Sequence, residues 1–188
     1  IHTDWRGEIE AGAKAAGLPV APAVPAADGS RLHSLEGKPA ALFDKLPGQH
    51  PSRIDEGHCA AIGDALGRLH TARTDFSEAH VGPRSLAWLE QLAHRVEPHL
   101  ADEDCALLQR ALGLTVAIRS CGELPQGLIH GDLFPDNTLF EGSRLSGLID
   151  FFSGGAGLLS FDLAVAVNAW CASPSGRLNL ALTAALLE

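Results

Sequence analysis

Between residues 128 and 151 the chain sets polar residues at fixed intervals into apolar surroundings, and this limits what it can fold into more than any other feature. The run Leu128-Ile129 stops on His130-Gly131-Asp132, four residues intervene, and Asn137 follows; a second apolar run, Leu148-Ile149, stops on Asp150-Phe151. Burying such groups without partners is costly, so the pattern predicts strand, loop and strand with the polar residues gathered for a use. The set fits phosphoryl transfer: one carboxylate to orient a hydroxyl and take its proton, and a carboxylate with an amide oxygen to hold magnesium, which prefers hard oxygen ligands. Asp132 suits the first role, and Asn137 and Asp150 the second. Taken alone, His130-Gly131-Asp132 could equally be a loop in which Asp132 or Asp136 caps a turn.

The rest of the composition sets bounds. The chain has 188 residues, a net charge of −9, 46% hydrophobic and 20% charged residues, which predicts a folded globule and excludes disorder and collagen-like fibre. An acidic balance argues against nucleic acid or an anionic membrane surface as partner, since both need clustered Lys and Arg. The longest low-charge stretch, residues 15–27, contains Pro19, Pro22 and Pro25, so no membrane helix is expected there, and the protein reads as cytoplasmic. Cys59, Cys105, Cys121 and Cys171 form no CxxC pair and read as reduced core thiols. Nine histidines include no HExxH, which leaves no zinc signature. With no Met and with Ile1 first, the chain reads as a fragment, or the ordered part, of something longer.

Residues 4–16 read as a helix stopped by Gly17, with Pro19 beyond. Residues 21–26 should be extended, Asp28-Gly29 is a hairpin signal, and residues 31–35 and 39–46 should be paired strands. A linker over residues 47–52 then precedes a helix bearing Ile54, Ile62, Leu66 and Leu69 on one face, with Ser52 and Asp55 as an approximate capping box. Further helices are expected over 85–99, 103–120, 160–171 and 180–187, with β segments over 128–140 and 145–152. Strands first and helices later predict an α+β fold, divided into a small β-rich part at 1–48 and a mainly helical part at 49–188.

The five-residue interval from Asp132 to Asn137 matches the H-R-D-x-x-x-x-N catalytic loop of protein kinases, with Asp150 where their D-F-G aspartate would lie. The stretch 130–137, HGDLFPDN, together with 142–151, GSRLSGLIDF, and 161–171, FDLAVAVNAWC, resembles the aminoglycoside phosphotransferase and choline kinase group, which shares the protein-kinase-like fold. Within that group it is similar to bacterial homoserine kinases; segments 40–48 and 66–70 fit as well. The resemblance implies ATP and Mg²⁺ as cofactors and a small-molecule hydroxyl substrate, L-homoserine, phosphorylated for threonine synthesis. It makes Asp132 the catalytic base, His130 its brace, and Asn137 and Asp150 the metal ligands. Asp162 would hold the loop from below, although as a first-turn carboxylate it also suits the helix dipole. Phe43, Asp44, Lys45 and Leu46 would form the hinge that binds adenine through backbone groups, where a plain strand is the alternative.

The resemblance also implies departures. A Gly-rich cover and a third-strand Lys would lie upstream of Ile1, since Lys14, Lys38 and Lys45 come too late in the order. Residues 7–14, GEIEAGAK, miss the phosphate-loop spacing by the extra Ala13. Gly154-Gly155-Ala156-Gly157 reads as a flexible stretch at the start of an activation segment. Trp170 and Cys171 read as core, with Asn168 or Trp170 as further candidates to approach substrate. Two alternatives stay open. One is another acceptor, an aminoglycoside, choline or methylthioribose, of which choline suits a chain without Tyr least; the other is a kinase-like binding module without catalysis.

Overall fold

The computed structural model describes residues 5–72 and 86–188; Asp4 and Ser85, expected to open helices, lie outside the described residues. Helix α1 (Trp5–Ala15) stops at Gly17 as predicted. Gly17 takes φ 73°, its N–H donates to the Lys14 carbonyl (2.9 Å), and the Leu18 N–H reaches back to that of Ala13 (3.0 Å). That left-handed cap satisfies carbonyls the helix leaves open and turns Leu18 and Val20 into the core.

The strands expected to pair over 31–35 and 39–46 do pair, but the second is shorter and ends at Ala40. Strands β1 (His33–Leu35) and β2 (Lys38–Ala40) pair antiparallel over three residues each. Their turn is Glu36-Gly37, both with positive φ (51° and 76°), the backbone that two-residue hairpins require. Asp28-Gly29 also turns, with the Ser30 N–H on Asp28 Oδ1 and the Ala26 N–H on the Ser30 carbonyl. The run before it pairs elsewhere: Ala23 bridges Phe43, and Val20 bridges Leu148. A turn signal fixes a reversal of the chain and leaves open which segments become neighbours.

Helix α2 (Glu56–Thr71) is capped by Asp55, not by a box built on Ser52: the Asp55 backbone is extended and its side chain accepts the His58 N–H at 3.0 Å. An N-cap oxygen must reach the second or third helical N–H, and Ser52 stands too early to do so. Ile62, Leu66 and Leu69 are buried as predicted, while Ile54 precedes the helix and is half-buried. Helix α3 (Leu86–Val96) runs into a 3-10 turn (Glu97–His99), and α4 (Asp102–Ser120) follows.

Four short strands then frame the polar residues: β3 (Gln126–Ile129), β4 (Thr138–Glu141), β5 (Arg144–Leu148) and β6 (Gly155–Leu158). β3 pairs with β6 and β4 with β5, all antiparallel. The glycine run expected to be flexible is therefore mostly strand. Small residues are needed there by proximity: a Cβ on Gly157 would overlap the Ile129 side chain across the ladder.

Helices α5 (Leu159–Cys171) and α6 (Leu180–Leu187) close the fold, and α6 lies so near α2 that a Cβ on Gly63 would overlap the Leu186 carbonyl. The described residues form the α+β arrangement that the sequence predicts. One core runs from Ile9 and Ala13 on α1 through Leu69, Leu128 and Phe140 to Trp170 and Leu186. Two thiols belong to it: Cys59 and Cys171 are buried, whereas Cys105 is half-exposed and Cys121 exposed. Burial and the neighbouring Cys171 thiol push Cys59 up to about 12, which keeps it protonated and unreactive at neutral pH. No helix among the described residues is long and apolar enough to cross a membrane.

Candidate active site

Strand β3 delivers Leu128 and Ile129 into the core, and the chain then turns sharply. Gly131 takes φ 75°, and a Cβ there would stand 2.5 Å from the Ser153 carbonyl oxygen. The turn rests on one buried carboxylate: Asp162 Oδ2 accepts the His130 N–H (3.0 Å) and Oδ1 the Gly131 N–H (2.8 Å). At the end of α2, His70 Nε2 donates to the same Oδ2 at 3.0 Å. A carboxylate can sit in a core when its lone pairs are met this way, and Asp162 thus holds the loop from below.

His130 is fully buried. Its Nε2 lies 3.1 Å from the Ile149 carbonyl, and its ring packs 4.5 Å from that of Phe151. A carbonyl only accepts, so Nε2 carries the hydrogen and Nδ1 is bare. Burial lowers the His130 pKa from its ordinary 6.5, because the charged ring loses water. Above about pH 6.5 neither folded nor unfolded chain holds the proton; below it the unfolded chain takes one that the folded chain refuses, and stability falls with pH. Denaturant midpoints measured from pH 7.5 down to 5.5 should drop more steeply for the native sequence than for His130→Asn; parallel profiles would refute this.

The rest of the loop sets Asp132 beside Asn137. The Asn137 Nδ2 donates to the Asp132 main-chain oxygen (2.7 Å) and lies 3.4 Å from its Oδ2. The 3-10 turn Pro135–Asn137 is pinned by buried Thr138, whose hydroxyl donates to the Pro135 carbonyl. The Ile149 N–H then donates to the Asn137 carbonyl at 3.1 Å, which brings Asp150 alongside. Asp150 is exposed and left-handed (φ 62°, ψ 58°). Hydrogen bonds thus join Asp132 to Asn137 and Asn137 to Ile149, and Asp150 follows Ile149 in the chain.

A cavity of about 520 Å³ opens next to them, with Phe43, Asp44, Lys45 and Leu46 on one wall and Leu148, Ile149, Asp150 and Phe152 on another. Its volume lies in the roughly 300–1,000 Å³ range of small-molecule sites. Ala21, Leu32 and Leu139 add apolar surface. Asp132 and Asn137 stand outside this lining, on the Asp150 side.

The sequence matches the phosphotransferase enzyme family over residues 3–188. The chain belongs to that phosphotransferase family. It is 40% identical over 172 residues to a homoserine kinase of Pseudomonas aeruginosa (strain LESB58), covering 91% of this chain and 54% of that protein. It is 42% identical over 167 residues to a homoserine kinase of Nitrobacter winogradskyi, covering 85% and 50%. The chain thus spans about half the length of the curated relatives it matches. Among solved structures it resembles an amicoumacin kinase in complex with AMP-PNP, Ca²⁺ and Ami (19% identity, TM-score 0.70, covering 90% of this chain and 54% of that one). It also resembles an aminoglycoside-3′-phosphotransferase of type VIII (22%, TM-score 0.67, 97% and 69%). The fold is protein-kinase-like.

In this member of the family the structure adds residues that the motifs did not name. Glu10 of α1 is buried on the cavity wall, and its Oε2 accepts the Ala23 N–H at 2.9 Å. Glu10 shares the buried face of α1 with Ile9 and Ala13, and a carboxylate on an apolar face was the available signal. His70 carried the same signal, four residues after buried Leu66 on α2. Of the substrate candidates on α5, Trp170 is buried and its indole N–H donates to the Leu133 carbonyl (2.9 Å), so it braces the loop at 130–137. Asn168 is exposed and bonds the Ala164 carbonyl of its own helix.

Proposed function

We propose that this chain carries the catalytic half of an ATP-dependent kinase that phosphorylates the side-chain hydroxyl of L-homoserine, giving O-phospho-L-homoserine. The single observation that carries the reading is the hydrogen-bonded series Asp132, Asn137 and Ile149, which leads into Asp150 on the lining of a cavity that residues 43–46 also line. The acceptor is argued from relatives at about 40% identity that are named homoserine kinases.

In this reading Asp132 orients the acceptor hydroxyl and takes its proton as the new O–P bond forms and the bond from the γ-phosphorus to its bridging oxygen breaks. His130, neutral and packed on Phe151, keeps the loop in place without adding charge. The main chain of residues 43–46 meets the adenine edge, and Leu32, Leu139 and Leu148 sandwich its faces. Asn137 and Asp150 would hold Mg²⁺: with Nδ2 engaged on Asp132, the Asn137 Oδ1 is left as one hard donor, and the Asp150 carboxylate would be the other. Bound there, the ion neutralises charge on the phosphates. Glu10 sits on a helix at the cavity wall, as does the kinase glutamate that pairs with the phosphate-binding lysine.

The test is a panel of hydroxyl acceptors, namely L-homoserine, kanamycin, choline and methylthioribose, each incubated with MgATP and the chain. ADP release with homoserine and a phosphohomoserine product by mass spectrometry are the expected results. Turnover confined to another acceptor would replace homoserine, and absence of MgATP binding would overturn the kinase reading itself.

A further inference from the structure

We infer that Arg68 is a positioning residue for the cavity, acting through α1; the inference rests on the nucleotide reading above. Arg68 lies in the last turn of α2, and two of its nitrogens converge on one acceptor, the carbonyl of Ala16 just past the end of α1: Nη2 at 2.8 Å and Nε at 3.1 Å. Its third nitrogen, Nη1, stands 3.5 Å from Asp64 Oδ2 one turn earlier. A guanidinium at a helix C-terminus meets the unsatisfied carbonyls and the negative end of the dipole, and charge-assisted forked bonds are stronger and more directional than neutral ones. The fit is close. A Cβ on Gly17 would come within 2.5 Å of Nη2, so the chain leaves α1 without a side chain where the guanidinium lies.

What Arg68 holds is a rod. Glu10 precedes Ala16 by six residues, roughly 9 Å along a helix axis, and it is the residue of α1 that reaches the cavity wall. Buried Ile9 beside it packs close to Gly154, after the turn that carries Phe151. A tilt of α1 about its far end therefore displaces Glu10 and loosens the wall next to Asp150. Two residues on, His70 donates to Asp162 under the catalytic loop. The last turn of α2 thus fixes the Asp132 loop with one side chain and the nucleotide-facing helix with another, which sets the two at a constant separation.

The experiment uses the chain as it stands, with Arg68→Met, which keeps an unbranched apolar stem, Arg68→Lys, which keeps charge and a single donor, and Glu10→Gln. MgATP affinity is titrated calorimetrically, and amide exchange is followed across α1. Arg68→Met should weaken MgATP about tenfold and Arg68→Lys about threefold, with faster exchange in α1 and unchanged exchange in α5. In the Glu10→Gln background the effect of Arg68→Met should shrink below about twofold, which a general loss of stability would not produce. Unchanged affinity, unchanged α1 exchange, or the full tenfold loss persisting in the Glu10→Gln background overturns the inference. If the native chain takes up no MgATP, the nucleotide reading fails on its own, and α1 exchange still decides whether Arg68 positions the helix.

Discussion

Asp132→Asn should abolish phosphoryl transfer while leaving MgATP binding near its native level. A positioned general base contributes about 10²–10⁴ in rate, and an amide of the same shape cannot take the hydroxyl proton. The loop should keep its form, because the short bond from Asn137 goes to the Asp132 main-chain oxygen, and the backbone of residues 130 and 131 is held by Asp162. Rates of ADP release and MgATP affinities, measured side by side, separate chemistry from binding. Native turnover in the variant would remove Asp132 from its role.

The largest loss of stability should follow Asp162→Ala. The substitution strips the acceptor from two buried backbone N–H groups and from His70 at once. Leaving one member of a buried charged network without its partner costs about 3–5 kcal/mol, a large share of the roughly 5–15 kcal/mol that holds a domain folded. Asp162→Asn, which keeps one oxygen, should fall between. Urea unfolding measures both; a loss under about 1 kcal/mol for the alanine variant would mean that water replaces the carboxylate and that the network is not structural.

The site was readable where polarity and apolarity alternate along the chain itself. His130, Asp132, Asn137 and Asp150 interrupt strand-like runs, and the interval between them already implied one shared loop. The place of Asp162 beneath that loop came from the family resemblance, since as a first-turn carboxylate it also suited the helix dipole. The partners of Glu10, Arg68 and His70 were not readable, because they lie 13, 52 and 92 residues away, and periodicity reports a helix face without reporting what lies across it. The same limit explains the hairpin. The Asp28-Gly29 signal does make a turn, but the run before it pairs with Phe43 and Leu148, and the hairpin itself turns at Glu36-Gly37. The glycine run at 154–157 misled for a different reason: glycine marks both loose chain and tight contact, and Ile129 against Gly157 makes this one tight contact.

Asp150 carries one further consequence. A residue with a side chain at φ 62° sits in a backbone region that L-residues seldom enter, Asn and Asp being the common exceptions. The main chain therefore fixes the direction in which its Cα–Cβ bond leaves, and the backbone ordering entropy is lost once, during folding. A cation arriving in the proposed reading would meet a backbone already ordered, so only the rotation of the side chain would remain to be lost on binding.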